Sequence, residues 1–79
     1  MDIGDLPSVW TVQIWETFFR DEAALLRNPS SHHKVLVKQA YALNRLQLID
    51  GEGLSDLLER ADGALEYAVE AFLDESGNQ

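Results

Sequence analysis

The amino-acid sequence predicts an all-α protein, a compact three-helix domain in which helices 2 and 3 form an antiparallel hairpin packed on helix 1. Apolar residues recur at steps of three and four along the chain, which is the spacing that lines one face of a helix. Turn-forming residues at 28–31 and 50–53 separate three such segments. The second connection is short, and short connections join antiparallel neighbours.

Helix 1 is predicted at residues 8–27, because Pro7 suits a helix start and the residue before Pro29 avoids the helical region. Its apolar residues spread over roughly half of the circumference. We therefore expect either a central helix covered by both others or a surface shared with another chain. Glu22 lies inside this arc and should pair with a base or mark the boundary with solvent. The residues expected in the core are Trp10, Ile14, Trp15, Phe18 and Leu25 or Leu26.

Helix 2 is predicted at residues 32–49, with Ser30 or Ser31 as its N-cap. The adjacent His32 and His33 point about 100° apart on a helix, and no third ligand follows one turn later. We expect two solvated side chains rather than a metal site. Every acidic or basic residue of this helix is a base, namely Lys34, Lys38 and Arg45. The expected core face consists of Val35, Leu36, Ala40, Ala42, Leu43 and Leu46.

Helix 3 is predicted at residues 51–74, with Asp50 or Ser55 as its cap. Its expected core face consists of Leu54, Leu58, Ala61, Leu65, Ala68 and Phe72. A second set of residues at three- and four-residue steps is entirely acidic, and we call it the acidic ridge: Glu59, Asp62, Glu66, Glu70 and Asp74.

The acidic ridge is the first candidate for a functional surface. Like charges four residues apart destabilise a helix by a few tenths of a kcal/mol per pair. Either the bases of helix 2 offset this repulsion and solvent covers the rest, or the ridge binds a basic protein surface. Residues 50–79 carry nine acids against Arg60 alone, whereas residues 1–49 carry five of each. Three bases cannot neutralise nine acids, so the second interpretation stays open.

The back of helix 3 is the second candidate. Gly63, Tyr67 and Ala71 recur at four-residue steps, and a glycine inside a helix suggests a close approach of another group. That group is either an aromatic ring of helix 1 or a partner protein, for which Tyr67 would be an anchor.

Composition limits the function classes. The 79 residues include no cysteine, and the net charge is −8; this favours the cytoplasm and disfavours direct nucleic-acid binding. We expect a soluble single domain, residues 1–79, with a flexible leader at 1–7 and a flexible tail at 75–79. The N-terminus does not resemble a secretory signal. No catalytic or cofactor motif is present, so we expect neither an enzyme nor a metal site.

The sequence thus predicts a small acidic binding module that docks on a basic protein surface. By analogy of size and charge, an inhibitor from a phage or mobile element that blocks a nucleic-acid-binding site, as anti-CRISPR proteins do, is one example of this class. The expected binding residues are Glu59, Asp62, Glu66, Tyr67, Glu70 and Asp74. The alternative is a homodimeric structural or regulatory protein that uses the excess apolar arc of helix 1.

Overall fold

The computed structural model describes residues 10–77, and the side-chain surroundings of residues 10–74. Within residues 10–77 the chain is all-α, as predicted, but it forms four helices rather than three because predicted helix 1 is divided. The predicted leader at 1–7 and residues 78–79 lie outside the described residues, whereas residues 75–77 continue the last helix. The helices are α1 (Val12–Phe19), α2 (Glu22–Arg27), α3 (Pro29–Arg45) and α4 (Gly51–Gly77).

Asp21 divides predicted helix 1 into α1 and α2. The first of these begins after Thr11, whose Oγ1 accepts the amide N–H of Ile14 at 3.1 Å. Asp21 has φ −77° and ψ 86°, and its carboxylate accepts the amide N–H of Ala24 at 3.1 Å. A short acidic side chain that bonds to the backbone three residues later favours a new helix start over helix continuation.

The start of α3 lies at Pro29, three residues before the predicted start. Asn28 is its N-cap, with φ −154° and a side-chain oxygen that accepts the amide N–H of Ser31 at 3.2 Å. The prediction that Ser30 or Ser31 would cap this helix is therefore wrong. Proline suits the first helical position because its φ is already helical and it lacks the N–H that would be left unpaired there.

The end of α3 lies at Arg45 rather than at residue 49. Gln47 has φ 63°, a left-handed conformation that stops the helix. The amide N–H of Leu48 bonds to the carbonyl of Leu43, and that of Gln47 to the carbonyl of Asn44, each at 2.9 Å. These two bonds form a Schellman motif, in which a residue other than glycine occupies the left-handed position.

The longest helix, α4, is capped by Asp50, one of the two caps predicted from the sequence. The Asp50 carboxylate accepts the amide N–H of Gly53 at 2.8 Å. The 27 residues of α4 correspond to about 40 Å, whereas the 17 residues of α3 correspond to about 25 Å. Of the helix pairs in the described residues, α3 and α4 share the most extensive contact. The difference in length leaves part of α4 beyond α3.

Trp15 belongs to the core, as predicted, and lies in its central cluster. Its side chain is fully buried, its ring stacks on Phe19 at 5.3 Å, and its indole N–H donates to the carbonyl of Leu36 at 2.9 Å. Leu25 is also buried, but Ile14 is 37% exposed, so its assignment to the core is wrong. The buried residues of the central cluster are Trp15, Leu36, Ala40, Leu43, Leu57 and Ala61.

The predicted core faces of the two long helices are wrong at their ends. Leu46 is 50% exposed, since α3 has already ended there. Phe72 is 45% exposed, and the last buried residue of α4 in the described part is Ala68. Leu57, which was not assigned to the core face, is only 5% exposed. The core thus covers the first two thirds of α4 and leaves its C-terminal part outside.

His32 is buried, contrary to the prediction of two solvated histidines. It is 2% exposed, and its ring stacks on Phe18 with centroids 4.3 Å apart. Its Nε2 lies 2.8 Å from the carbonyl oxygen of Phe18, which only accepts, so Nε2 carries the proton and donates. The other ring nitrogen, Nδ1, is buried without a hydrogen-bond partner in the described residues. This histidine therefore joins α1 to the start of α3.

Candidate protein-binding surface on α4

The acidic ridge lies on the outer face of α4. All of its carboxylates are on exposed residues, whereas Leu57, Ala61 and Ala68 on the opposite side of the same helix are buried. The steps of three and four residues that bring the acids together also keep them away from the core. The exposed ridge residues are Glu59, Asp62, Glu66, Glu70 and Asp74.

Within the described residues, one member of the ridge has a counter-charge partner. Asp62 Oδ1 lies 2.9 Å from Nε2 of His33, an ion pair when the histidine is protonated. No other ridge carboxylate forms an ion pair in this part of the chain. Arg60, the lone base of the last third, lies within 3.4 Å of Glu16 and 3.6 Å of Asp56, neither of which belongs to the ridge.

The bases of α3 do not neutralise the ridge by direct contact. Lys34, Lys38 and Arg45 are exposed, and among the described residues none of them lies within ion-pair distance of a ridge carboxylate. Their effect on the ridge is therefore limited to longer-range attraction, which solvent and salt screen. The repulsion between successive ridge acids remains largely uncompensated within the described chain.

Exposed apolar side chains flank the C-terminal part of the ridge, and the sequence prediction missed this surface. Val69 is 45% exposed and Leu73 is 63% exposed. Val69 follows Glu66 by three residues, and Leu73 follows Glu70 by three, so both lie beside ridge acids. The sequence offered one signal for this surface: the apolar pattern of α4 continues over a longer stretch than α3 can cover. A surface that combines apolar area with charge is suited to protein binding.

Tyr67 lies beside the ridge and joins α4 to α2. Its hydroxyl donates to a Glu22 carboxylate oxygen at 2.6 Å. The hydrogen bond to Glu22, with the negative charge of that carboxylate, raises the pKa of Tyr67 above its ordinary value. Both side chains are exposed. Glu22, expected to pair with a base or face solvent, thus faces solvent and accepts from a tyrosine.

A groove lies between α2 and α4 next to Tyr67. Its volume is about 480 Å³. A Cβ at Gly63 would meet no heavy atom within 4 Å, so the first of the two predicted alternatives, an aromatic ring of helix 1 packed there, is wrong. Because glycine costs a helix interior about 1 kcal/mol relative to alanine, internal packing does not explain this residue. The lining consists of Phe19, Arg20, Glu22, Leu25, Arg60, Gly63, Ala64 and Tyr67.

Residues 10–77 contain neither a metal-binding cluster nor a membrane-spanning helix. No three or more His, Cys, Asp or Glu side chains are grouped so that they could hold a metal ion. Among the helices described, none has the length and apolar character required to cross a membrane. The distinctive surface of the described chain is therefore the outer face of α4 with its flanking groove.

The chain matches no protein-family model, no curated protein and no solved structure.

Proposed function

We propose that this protein is a small non-catalytic binding protein whose acidic ridge docks on a basic surface of another protein. One observation carries the proposal: Glu66, Glu70 and Asp74 are exposed on one helix face, and no base of the described chain pairs with them. Such a face repels itself in the free protein and attracts positive charge. A basic partner would supply the missing counter-charge.

The geometry of the ridge favours a partner that also binds nucleic acid. Carboxylates one helical turn apart form a row with a spacing of about 5–6 Å. A row of regularly spaced negative charges offers a basic groove the same sign of charge as a phosphate backbone. The protein would then act by occupying a nucleic-acid-binding site, as an inhibitor from a phage or mobile element would.

The proposal also rests on the orientation of the two long helices, which we infer to be antiparallel. His33, near the start of α3, contacts Asp62, well inside α4. Asn44, near the end of α3, donates to the carbonyl of Ile49 at 3.2 Å, just before α4 begins. The start of α3 thus lies beside the middle of α4, and the end of α3 lies beside the residues that precede α4. Apart from Asp62, the ridge residues form no ion pair with α3 among the described residues and stay exposed.

The test is a binding comparison between the wild-type protein and the ridge variant Glu66→Gln, Glu70→Gln, Asp74→Asn. Each protein is immobilised, incubated with a lysate of the source cell, and the retained protein is identified and then purified. We expect about tenfold weaker binding by the ridge variant, since three exposed charge pairs at about 0.2–1 kcal/mol each sum to this order. Nucleic acid should displace the partner from the wild-type protein.

A charge-matched control separates a local effect from one of net charge. The variant Gln13→Lys, Thr17→Lys, Gln47→Lys changes the net charge by the same amount at exposed positions off the ridge. This control should bind nearly as well as wild type. Equal affinity of the ridge variant and wild type for the purified partner would refute the proposal.

The second candidate is a homodimer formed through the surface of α1. Ile14 is 37% exposed and borders a surface depression of about 470 Å³ that is also lined by Trp10 and Phe18. An apolar depression of this kind suits a second copy of the chain. Light scattering distinguishes the candidates: a dimer that Ile14→Glu converts to a monomer favours this one, whereas a monomer at high concentration excludes it.

A further inference from the structure

Gly63 marks a place where another molecule can approach the backbone of α4. It lies well inside the helix, and no heavy atom lies within 4 Å of the position that its Cβ would take. Any larger side chain would project into the groove between α2 and α4, which Gly63 helps to line. The glycine therefore keeps open a groove that the described chain does not itself fill.

The floor and one wall of the groove are apolar and held in place. Phe19, Leu25 and Ala64 supply apolar surface, and Leu25 is 4% exposed. Tyr67 is held by its 2.6 Å hydrogen bond to Glu22. These contacts connect α2 to α4 across the groove, so its shape exists before any partner binds. A preformed apolar groove lowers the entropy that binding must overcome.

Arg20 and Arg60 also line the groove, and the guanidinium of Arg60 lies over an aromatic ring. Cζ of Arg60 lies 5.8 Å from the centroid of the Phe19 ring. The same guanidinium lies 3.4 Å from Glu16 and 3.6 Å from Asp56, and these carboxylates offset its charge. An arginine held over one aromatic ring can contact a second ring with its other face. This arrangement favours an aromatic occupant.

The approach to the groove is acidic. Glu59 precedes Gly63 by four residues, Glu66 follows it by three, and Glu70 follows it by seven, so all three lie on the same side of α4. All three are exposed. A segment that enters the groove therefore passes along the acidic ridge, where basic residues are favoured and acidic residues are repelled.

We infer that the groove over Gly63 receives an aromatic side chain of the basic partner, from a segment in which lysines or arginines flank that aromatic residue. The inference rests on the proposed function, because the ridge would bind the flanking bases. Aromatic side chains that fill a pocket commonly dominate the affinity of an interface. The ridge would then attract the partner and the groove would select the segment.

The test uses two synthetic peptides and the complete protein. One peptide has a tryptophan flanked by two lysines on each side, and the other has alanine in place of the tryptophan. Binding is followed by amide chemical shifts in ¹H–¹⁵N spectra at low salt. We expect the tryptophan peptide to bind at least about fivefold more tightly, with the largest shifts at Gly63, Ala64 and Tyr67.

Two groove variants make the test specific. Gly63→Leu and Gly63→Gln place a side chain in the open space, and because nothing lies within 4 Å of the Cβ both should fold, as thermal unfolding will show. Each should remove the preference for tryptophan and keep the salt-sensitive binding of both peptides. Equal affinity of wild type for the two peptides, or a preference that survives both substitutions, would overturn the inference.

The ridge variant separates this inference from the proposed function. With Glu66→Gln, Glu70→Gln and Asp74→Asn, both peptides should bind more weakly, while the tryptophan peptide remains preferred. Unchanged, salt-insensitive binding by this variant would refute the role of the ridge and leave the groove intact. Shifts centred on Trp10 and Ile14 instead of Gly63 would place the aromatic residue elsewhere and reject the groove.

Discussion

The interface of α1 with α3 and the outer face of α4 differ in how their polar groups are used. At the interface, the indole N–H of Trp15 donates to the carbonyl of Leu36, and Nε2 of His32 donates to the carbonyl of Phe18. On the outer face, Glu66 and Glu70 have no counter-charge among the described residues. The first region gains stability from its contacts, whereas the second has a surface suited to an external partner.

The largest expected effect is at the centre of the first region. Trp15→Ala removes a fully buried ring and its hydrogen bond, so the free energy of unfolding should fall by about 3–5 kcal/mol. Chains of this length are stable by about 4–12 kcal/mol, and a substantial unfolded fraction is expected. Urea denaturation followed by circular dichroism measures the change.

Ile14 is the matched control for Trp15, because it is the preceding residue of the same helix and is 37% exposed. Ile14→Ala should lower the free energy of unfolding by less than about 1 kcal/mol. Similar losses in the two variants would mean that the core is not centred on Trp15.

The adjacent histidines provide the next comparison. His32→Ala removes the stacking on Phe18 and the hydrogen bond to its carbonyl, so it should lower the free energy of unfolding by about 2–4 kcal/mol. His33→Ala removes an exposed contact with Asp62 and should change it by less than about 1 kcal/mol. Denaturation curves measure both. Equal effects would contradict the burial of His32.

The contact between Tyr67 and Glu22 joins two exposed side chains, so its effect on stability should be smaller than that of His32. Since Glu22 raises the pKa of Tyr67, its phenol should ionise above its usual value, which is about 10. The contribution of this contact to stability is present below pH 10 and is lost as the pH rises through the raised pKa. Ultraviolet titration in a Tyr41→Phe background isolates the signal. Glu22→Gln should lower the pKa of Tyr67 towards its usual value; no change would refute the contact.

The sequence predicted the helical class and the burial of Trp15, since both follow from periodic apolar residues. It did not predict the break at Asp21, because the apolar arc continues across it while a side-chain hydrogen bond to Ala24 decides the local geometry. The burial of His32 depends on Phe18 of another helix, which periodicity within α3 does not report. A local side-chain hydrogen bond thus decided the break at Asp21, whereas packing between helices decided the burial of His32.

The exposed state of the acidic ridge agrees with its three- and four-residue spacing. The apolar residues and the groove beside the ridge, however, could be identified only from the structure. The exposure of Val69 and Leu73 follows from the difference in length between α3 and α4. The bounds predicted from the sequence, 32–49 and 51–74, gave a smaller difference. The open space over Gly63 was also not predictable, because a helical glycine is equally compatible with tight packing.

The most direct test of whether the ridge serves binding rather than folding is the stability of the variant Glu66→Gln, Glu70→Gln, Asp74→Asn. We expect its free energy of unfolding at low salt to exceed that of wild type by about 0.5–1 kcal/mol, because repulsive pairs one turn apart are removed. This gain should disappear at about 1 M salt. A loss of more than about 1 kcal/mol would show that these acids stabilise the fold and would contradict the proposed role of the ridge.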